Sequence, residues 1–179
     1  IIFVPTDWKT LVNGIISNKY DITTSASLSE KRALTAGYTN SFFKLATVPL
    51  TLKKNLKKFN SWDDINRFDV RVAVTLGTVQ EQYAKALFPN ATLNIIEAPA
   101  RDFQEVLSMR SDVHITSNIE AATLVKKYPE LAIVEVNEVK YPTPLALLIP
   151  QNDQIWINYL NHWIEIKKSR GFFEEMMDK

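Results

Sequence analysis

The chain has 179 residues, 46% of them hydrophobic, with 21 basic and 20 acidic residues leaving a net charge of +1. That balance gives no general attraction to nucleic acid or to anionic lipid. The lack of cysteine excludes a disulfide framework, a thiolate nucleophile and a Cys-ligated metal, and no apolar run reaches the ~18 residues a membrane-inserted helix needs.

Hydrophobic periodicity marks the elements in order. Ile1–Val4 reads as a strand. Residues 7–18 read as a helix, because Trp8, Leu11, Val12, Ile15 and Ile16 fall at helical spacing behind Asp7, a suitable N-cap. Tyr20–Ser25 reads as a strand and Ser29–Thr35 as a short helical turn. The stretch between, "TTSASLSEKR" at 23–32, sets Ser25, Ser27 and Ser29 at a strand end and then Arg32. Hydroxyls ahead of a fixed guanidinium suit an anion such as a carboxylate, held by bidentate contact. Leu45–Lys53 is extended and β-branched, and its Pro49 belongs on an edge or a crossover.

A basic bridge, "KKNLKKFN", follows, and Ser61–Asp64 has the pattern of a capping box opening a short helix. Strands at Arg71–Thr75, Thr92–Glu97, Val113–Thr116 and Ala132–Val136 then alternate with helices at Thr78–Leu87, Asp102–Arg110 and Ser117–Lys127. Leu145–Ile149 is a last apolar strand, and Asp153–Lys167 and Ser169–Met177 are closing helices. The alternation predicts an α/β fold with mainly parallel sheets. Breaks near Lys53–Phe59 and Tyr141–Pro144 predict segments 1–52 and 142–179 as one lobe and 53–141 as another, joined by a two-strand hinge with a ligand cleft between. The apolar opening and the helical pattern at the end predict the retained part of a longer protein.

Candidate residues sit just past predicted strand ends, where open α/β sheets bind ligands: Trp8, Ser27, Arg32, Thr78, Ser117 and Glu120. Gly77-Thr78 opens a helix whose N–H groups attract anions, but Thr78 to Glu81 also reads as a capping box that would satisfy those groups internally. Ser117 and Glu120 carry the same ambiguity, with Glu120 a cap or a desolvated general acid. Phe42 and Phe43 read as core or as an aromatic wall with Trp8. His114 and His162 lack metal-ligand spacing and read as structural. No phosphate-loop, hydrolase-elbow, zinc-protease or dinucleotide motif is present, so no cofactor and no metal are expected.

At these residues the chain resembles type 2 periplasmic solute-binding proteins for amino acids. "SASLSEKR" is similar to their carboxylate clamp, which implies Ser25, Ser27 and Arg32 as ligand residues. "LGTVQEQYAKAL" resembles the second-lobe clamp, implying Gly77 and Thr78. "SDVHITSNIEAATL" resembles the segment that presents an acid to a ligand amino group. "VPTDW", "TSNIEA", "YPEL" and "NHWIEIKKSRGFFEEMM" resemble the cyclohexadienyl dehydratase branch, enzymes acting on prephenate or arogenate. The resemblance implies the type 2 fold with the N-terminal part of lobe 1 missing, a periplasmic location, no membrane insertion, a monomer, an ABC permease as membrane partner, and a small anionic or zwitterionic ligand. In the dehydratase branch it implies Glu120 as proton donor to the departing hydroxyl. The chain departs from the pattern at Ser117, where amino-acid receptors carry an acid, and at Thr47, Val79-Gln80 and Leu145, where dehydratases carry polar or charged groups.

Overall fold

The computed structural model describes residues 1–136 and 141–177. In chain order the elements are α1 (Leu11–Ile16), β1 (Ala26–Ser27), α2 (Glu30–Ala33), β2 (Gly37–Tyr38), β3 (Phe43–Leu45), β4 (Thr47–Leu52), a 3₁₀ helix (Lys53–Lys58), α3 (Trp62–Ile65), β5 (Arg71–Thr75), α4 (Val79–Leu87), β6 (Thr92–Ile96), α5 (Asp102–Leu107), β7 (Val113–Ser117), α6 (Asn118–Lys127), β8 (Leu131–Ile133), β9 (Thr143–Ala146), β10 (Leu148–Ile149), α7 (Gln154–Ser169) and α8 (Phe172–Met177). They form two compact units, Ile1–Lys44 with Thr143–Lys179, and Leu45–Pro142.

The second unit is built on a five-stranded sheet in the order β6-β5-β7-β4-β8. β5 runs parallel to β6 and β7, whereas β4 is antiparallel to both β7 and β8. The sheet is therefore mixed rather than mainly parallel. Apolar clusters cover both faces, which is why its central strands read as continuous β-branched runs. On one face Val72, Val74, Val113 and Ile115 meet Trp62, Ile65 and Phe88. On the other, Leu50 and Leu52 meet Val106, Ala121, Leu124 and Leu131. Full burial of each such side chain contributes about 1.5–3 kcal/mol.

Pro49 lies inside this sheet, on a strand flanked by β7 and β8, and not on an edge strand. Its carbonyl accepts from the Val134 N–H at 2.9 Å, just past the end of β8, and the β4–β8 ladder itself covers only Leu50–Leu52. A strand residue's N–H and C=O point to the same side. The missing donor thus faces the place where the neighbouring ladder ends.

The first unit has smaller sheets. β9 stands between β1 and β3, and β10 pairs with β2; the β1–β9 and β10–β2 pairs are antiparallel. Its core is Leu11, Ile15, Ala26, Ala36 and Leu148. Three sequence expectations fail here. Ile1–Val4 is not a strand: its side chains are exposed, Ile1 fully and Phe3 at 79%, and no strand pairing among the described residues includes it. The helix expected over 7–18 is confined to α1, because Asp7 is spent earlier, accepting from the Thr10 N–H and hydroxyl at 2.8 and 2.9 Å. Tyr20–Ser25 is not a strand either. Tyr20 turns back to donate its hydroxyl to the Leu11 carbonyl at 2.6 Å, and Thr23 bonds Leu148 through its own hydroxyl, which replaces a ladder carbonyl.

Gly14 makes that return of Tyr20 possible. A Cβ at position 14 would lie 2.2 Å from the Tyr20 ring. At that distance no side chain fits while the Tyr20 hydroxyl keeps its bond.

Candidate functional site

In the first unit, β1 delivers Ser27 and α2 delivers Arg32. Arg32 is 6% exposed. Its Nη1 donates to the Ser27 carbonyl at 3.3 Å, and its guanidinium carbon lies 5.8 Å from the centre of the Trp8 ring. The Tyr38 hydroxyl donates to the same Ser27 carbonyl at 2.8 Å. Burial pushes the Tyr38 phenol above its ordinary range, against the opposing pull of Arg32. A buried cation is costly unless an anion or a full set of acceptors meets it, and the planar guanidinium fork matches a carboxylate.

The fold thus gathers Trp8, Ser27 and Arg32. Ser25, half-buried, precedes β1 directly. Phe42 is partly buried, and its ring stacks on Phe173 of α8 with centroids 5.0 Å apart. The ring of Trp8 is paired with Arg32. Trp8 and Phe42 each thus have one ring contact within the protein. Sequence reasoning does not find Tyr38, whose one visible signal is an aromatic shortly after the α2 turn. The Ser29 hydroxyl is buried and has no hydrogen-bond partner among the described residues.

In the second unit, the candidates are helix starts. Gly77 has φ +81°, a conformation that glycine adopts without steric cost. Thr78, 8% exposed, donates its hydroxyl to the Thr75 carbonyl at 2.7 Å and accepts from the Glu81 N–H at 3.2 Å. The expected capping box is half formed. The Glu81 carboxylate accepts from the Gly77 N–H at 2.7 Å rather than from Thr78, so the chain's own acid stands where an anion was expected at Gly77.

Ser117 likewise caps α6, its hydroxyl accepting from the Glu120 N–H at 3.2 Å. The Glu120 carboxylate accepts from the Thr116 hydroxyl. Glu120 is exposed, so the desolvation expected of a proton donor is not present. It borders a groove of about 420 Å³ with Arg101, Phe103, Leu124, Lys127 and Tyr128. Thr47 is buried and donates to the Tyr141 carbonyl at 3.2 Å.

His114 is buried at 1%, with Nδ1 3.3 Å from an Asp102 carboxylate oxygen. His162 is exposed on α7. Among the described residues no group of three or more His, Cys, Asp or Glu side chains is placed to hold a metal, and no helix is long and apolar enough to cross a membrane.

The two-unit α/β architecture, left through β3 and re-entered through β9, is that of type 2 periplasmic binding proteins. No family model matches the chain. It is similar to the cyclohexadienyl dehydratase of Pseudomonas aeruginosa, at 24% identity over 179 residues, spanning 99% of this chain and 66% of that protein. It superposes on the ancestral amino acid-binding protein AncCDT-1, a precursor of cyclohexadienyl dehydratase, with TM-score 0.90 and 30% identity over 99% of this chain and 76% of that one. A binding component of an ABC transporter from Wolinella succinogenes, complexed with lysine, matches with TM-score 0.87 and 26% identity over 96% of this chain and 74% of that one. The chain belongs to this binding-protein family and is homologous to cyclohexadienyl dehydratase.

Proposed function

We propose that the protein is a periplasmic, monomeric solute-binding protein that captures a small carboxylate or zwitterion and delivers it to an ABC permease. The observation that carries this reading is Arg32, a cation 6% exposed at the end of β1 beside the Ser27 carbonyl. A buried guanidinium gains most from a planar anion. The second unit offers the start of α4, where the helix dipole favours negative charge, with the Gly77 N–H already held by the Glu81 carboxylate. Thr78 and Ser117 are proposed to contact the ligand while serving as caps.

Within that reading, plain carboxylates such as oxo or hydroxy acids fit better than amino acids. Ser117 supplies no charge for an ammonium, and the Trp8 and Phe42 rings are engaged by Arg32 and Phe173. A binding component of an ABC transporter similar to this chain is complexed with lysine, so an oxo-acid ligand would set this chain apart from it.

The second reading is a prephenate or arogenate dehydratase with Glu120 as general acid, favoured by the 24% identity to cyclohexadienyl dehydratase. Its weakness is the exposure of Glu120. A general acid works best when its environment keeps it protonated near neutral pH.

Calorimetric titration with prephenate, phenylpyruvate, L-phenylalanine and L-lysine separates the readings. The receptor reading expects saturable binding of an oxo acid, lost in Arg32→Ala, without turnover. Appearance of phenylpyruvate from prephenate, abolished by Glu120→Gln, selects the enzyme. Tight binding of an unmodified amino acid through its ammonium rejects the ligand class.

A further inference from the structure

A largely part-buried chain of hydrogen bonds runs beneath the start of α4. Asp102, the first residue of α5, is 6% exposed and caps nothing in the usual sense; the cap position is Arg101, which makes no side-chain cap bond. The Asp102 carboxylate accepts instead from the Thr75 hydroxyl at 2.6 Å and from the Phe103 N–H at 3.0 Å. His114 Nδ1 lies 3.3 Å from the same carboxylate and 3.4 Å from the Ala73 carbonyl. Two acceptors at one nitrogen require that it carry the hydrogen. Nε2 is buried and has no hydrogen-bond partner among the described residues.

Thr75 ends β5 and has two oxygens. The hydroxyl is tied to Asp102, and the carbonyl accepts the Thr78 hydroxyl at 2.7 Å. Thr78 in turn receives the Glu81 N–H, and Glu81 holds the Gly77 N–H. We infer that Asp102, oriented by His114, is a positioning residue that acts through Thr75 to hold the Gly77–Thr78 turn and the first turn of α4 in one conformation. A carboxylate suits this place because a charged acceptor fixes a donor hydroxyl more strongly than a neutral one. It costs little there, since its donors are already assembled. Only the consequence for binding rests on the receptor reading.

The test is backbone amide hydrogen exchange over residues 77–81 in Thr75→Val, Thr75→Ser and Asp102→Ala. Thr75→Val and Asp102→Ala are expected to raise exchange at those amides at least tenfold, while Thr75→Ser, which keeps the hydroxyl, matches the parent. The control is Thr51→Val, which removes another part-buried hydroxyl bond of this unit, to the Asp112 carbonyl at 2.7 Å. It is expected to lower the melting temperature without changing exchange at 77–81. Unchanged exchange in Thr75→Val, or the same rise in Thr51→Val, overturns the inference. L-lysine and prephenate titrations complete it. If a probe binds the parent, Thr75→Val is expected to weaken it about tenfold, and full affinity in that variant counts against the inference. If neither probe binds the parent but exchange rises as expected, the inference stands and the receptor reading loses support.

Discussion

In the first unit the candidate residues are fixed by packing. Arg32 stands on a four-residue helix, sunk beside a carbonyl and a tryptophan ring, with Tyr38 closing on the same carbonyl. In the second unit they are fixed by helix grammar. Thr78 and Ser117 are N-caps, and each receives the N–H three residues on. A cap is satisfied without a ligand. A buried guanidinium gains from one. The same family resemblance therefore has different physical content in the two halves: a buried guanidinium in the first, and a preset helix end in the second.

The largest expected effect tests the foundation of the second half. Ile115 is 1% exposed in the cluster beneath α4. Ile115→Ala is expected to destabilise that unit by about 2–5 kcal/mol, read as lost exchange protection in β5 and β7. If protection in those strands is unchanged, the caps do not depend on the sheet as described. Next comes Arg32→Ala, expected to cost a bound oxo acid about 2–5 kcal/mol in calorimetry while leaving α4 unchanged. Retained affinity would erase the distinction drawn for the first unit. Thr78→Val should cost about 1 kcal/mol of stability through the lost cap, measured by denaturant titration. A far smaller loss would mean that the helix start is held mainly by Glu81.

The smallest effect concerns acid. Burial alone would push the Asp112 carboxyl up, but bonds from the Arg71 guanidinium and N–H outweigh it and hold the group below its ordinary value. A lowered folded pKa gives stability that is present above the unfolded value of about 3.9 and is lost as pH falls through the folded one. With Arg71 partly exposed, the pair contributes roughly 0.5 kcal/mol. Arg71→Ala is expected to flatten that part of the acid denaturation curve below about pH 4. An unchanged curve would assign the acid sensitivity elsewhere.

Legibility in the sequence follows the same division. The second unit's strands and helices can be read because most are five residues or longer and several helices are opened by a cap; the Ser61 box forms as expected. The first unit's strands are two to four residues long, too short for a period, so composition alone makes strands of Ile1–Val4 and Tyr20–Ser25. The order of residues along the chain is enough to single out Arg32 and Ser27. It does not single out Tyr38 and Asp102, because their roles come from side-chain contacts with Ser27 and Thr75 that only the folded chain brings together. Phe42 stays ambiguous between core and ligand wall because its partner, Phe173, lies at the far end of the sequence.

The contact between Gly14 and Tyr20 bears on how this sequence is able to drift. With 2.2 Å between a notional Cβ and the ring, the two positions form one unit of heredity: a methyl at 14 is admissible only after the ring at 20 has been cut down or turned out. Turning it out forfeits the bond to the Leu11 carbonyl that closes the end of α1. Reconstructed intermediates that carry Gly14→Ala while keeping Tyr20 should therefore have lost the bond to Leu11, at a cost of about 1 kcal/mol.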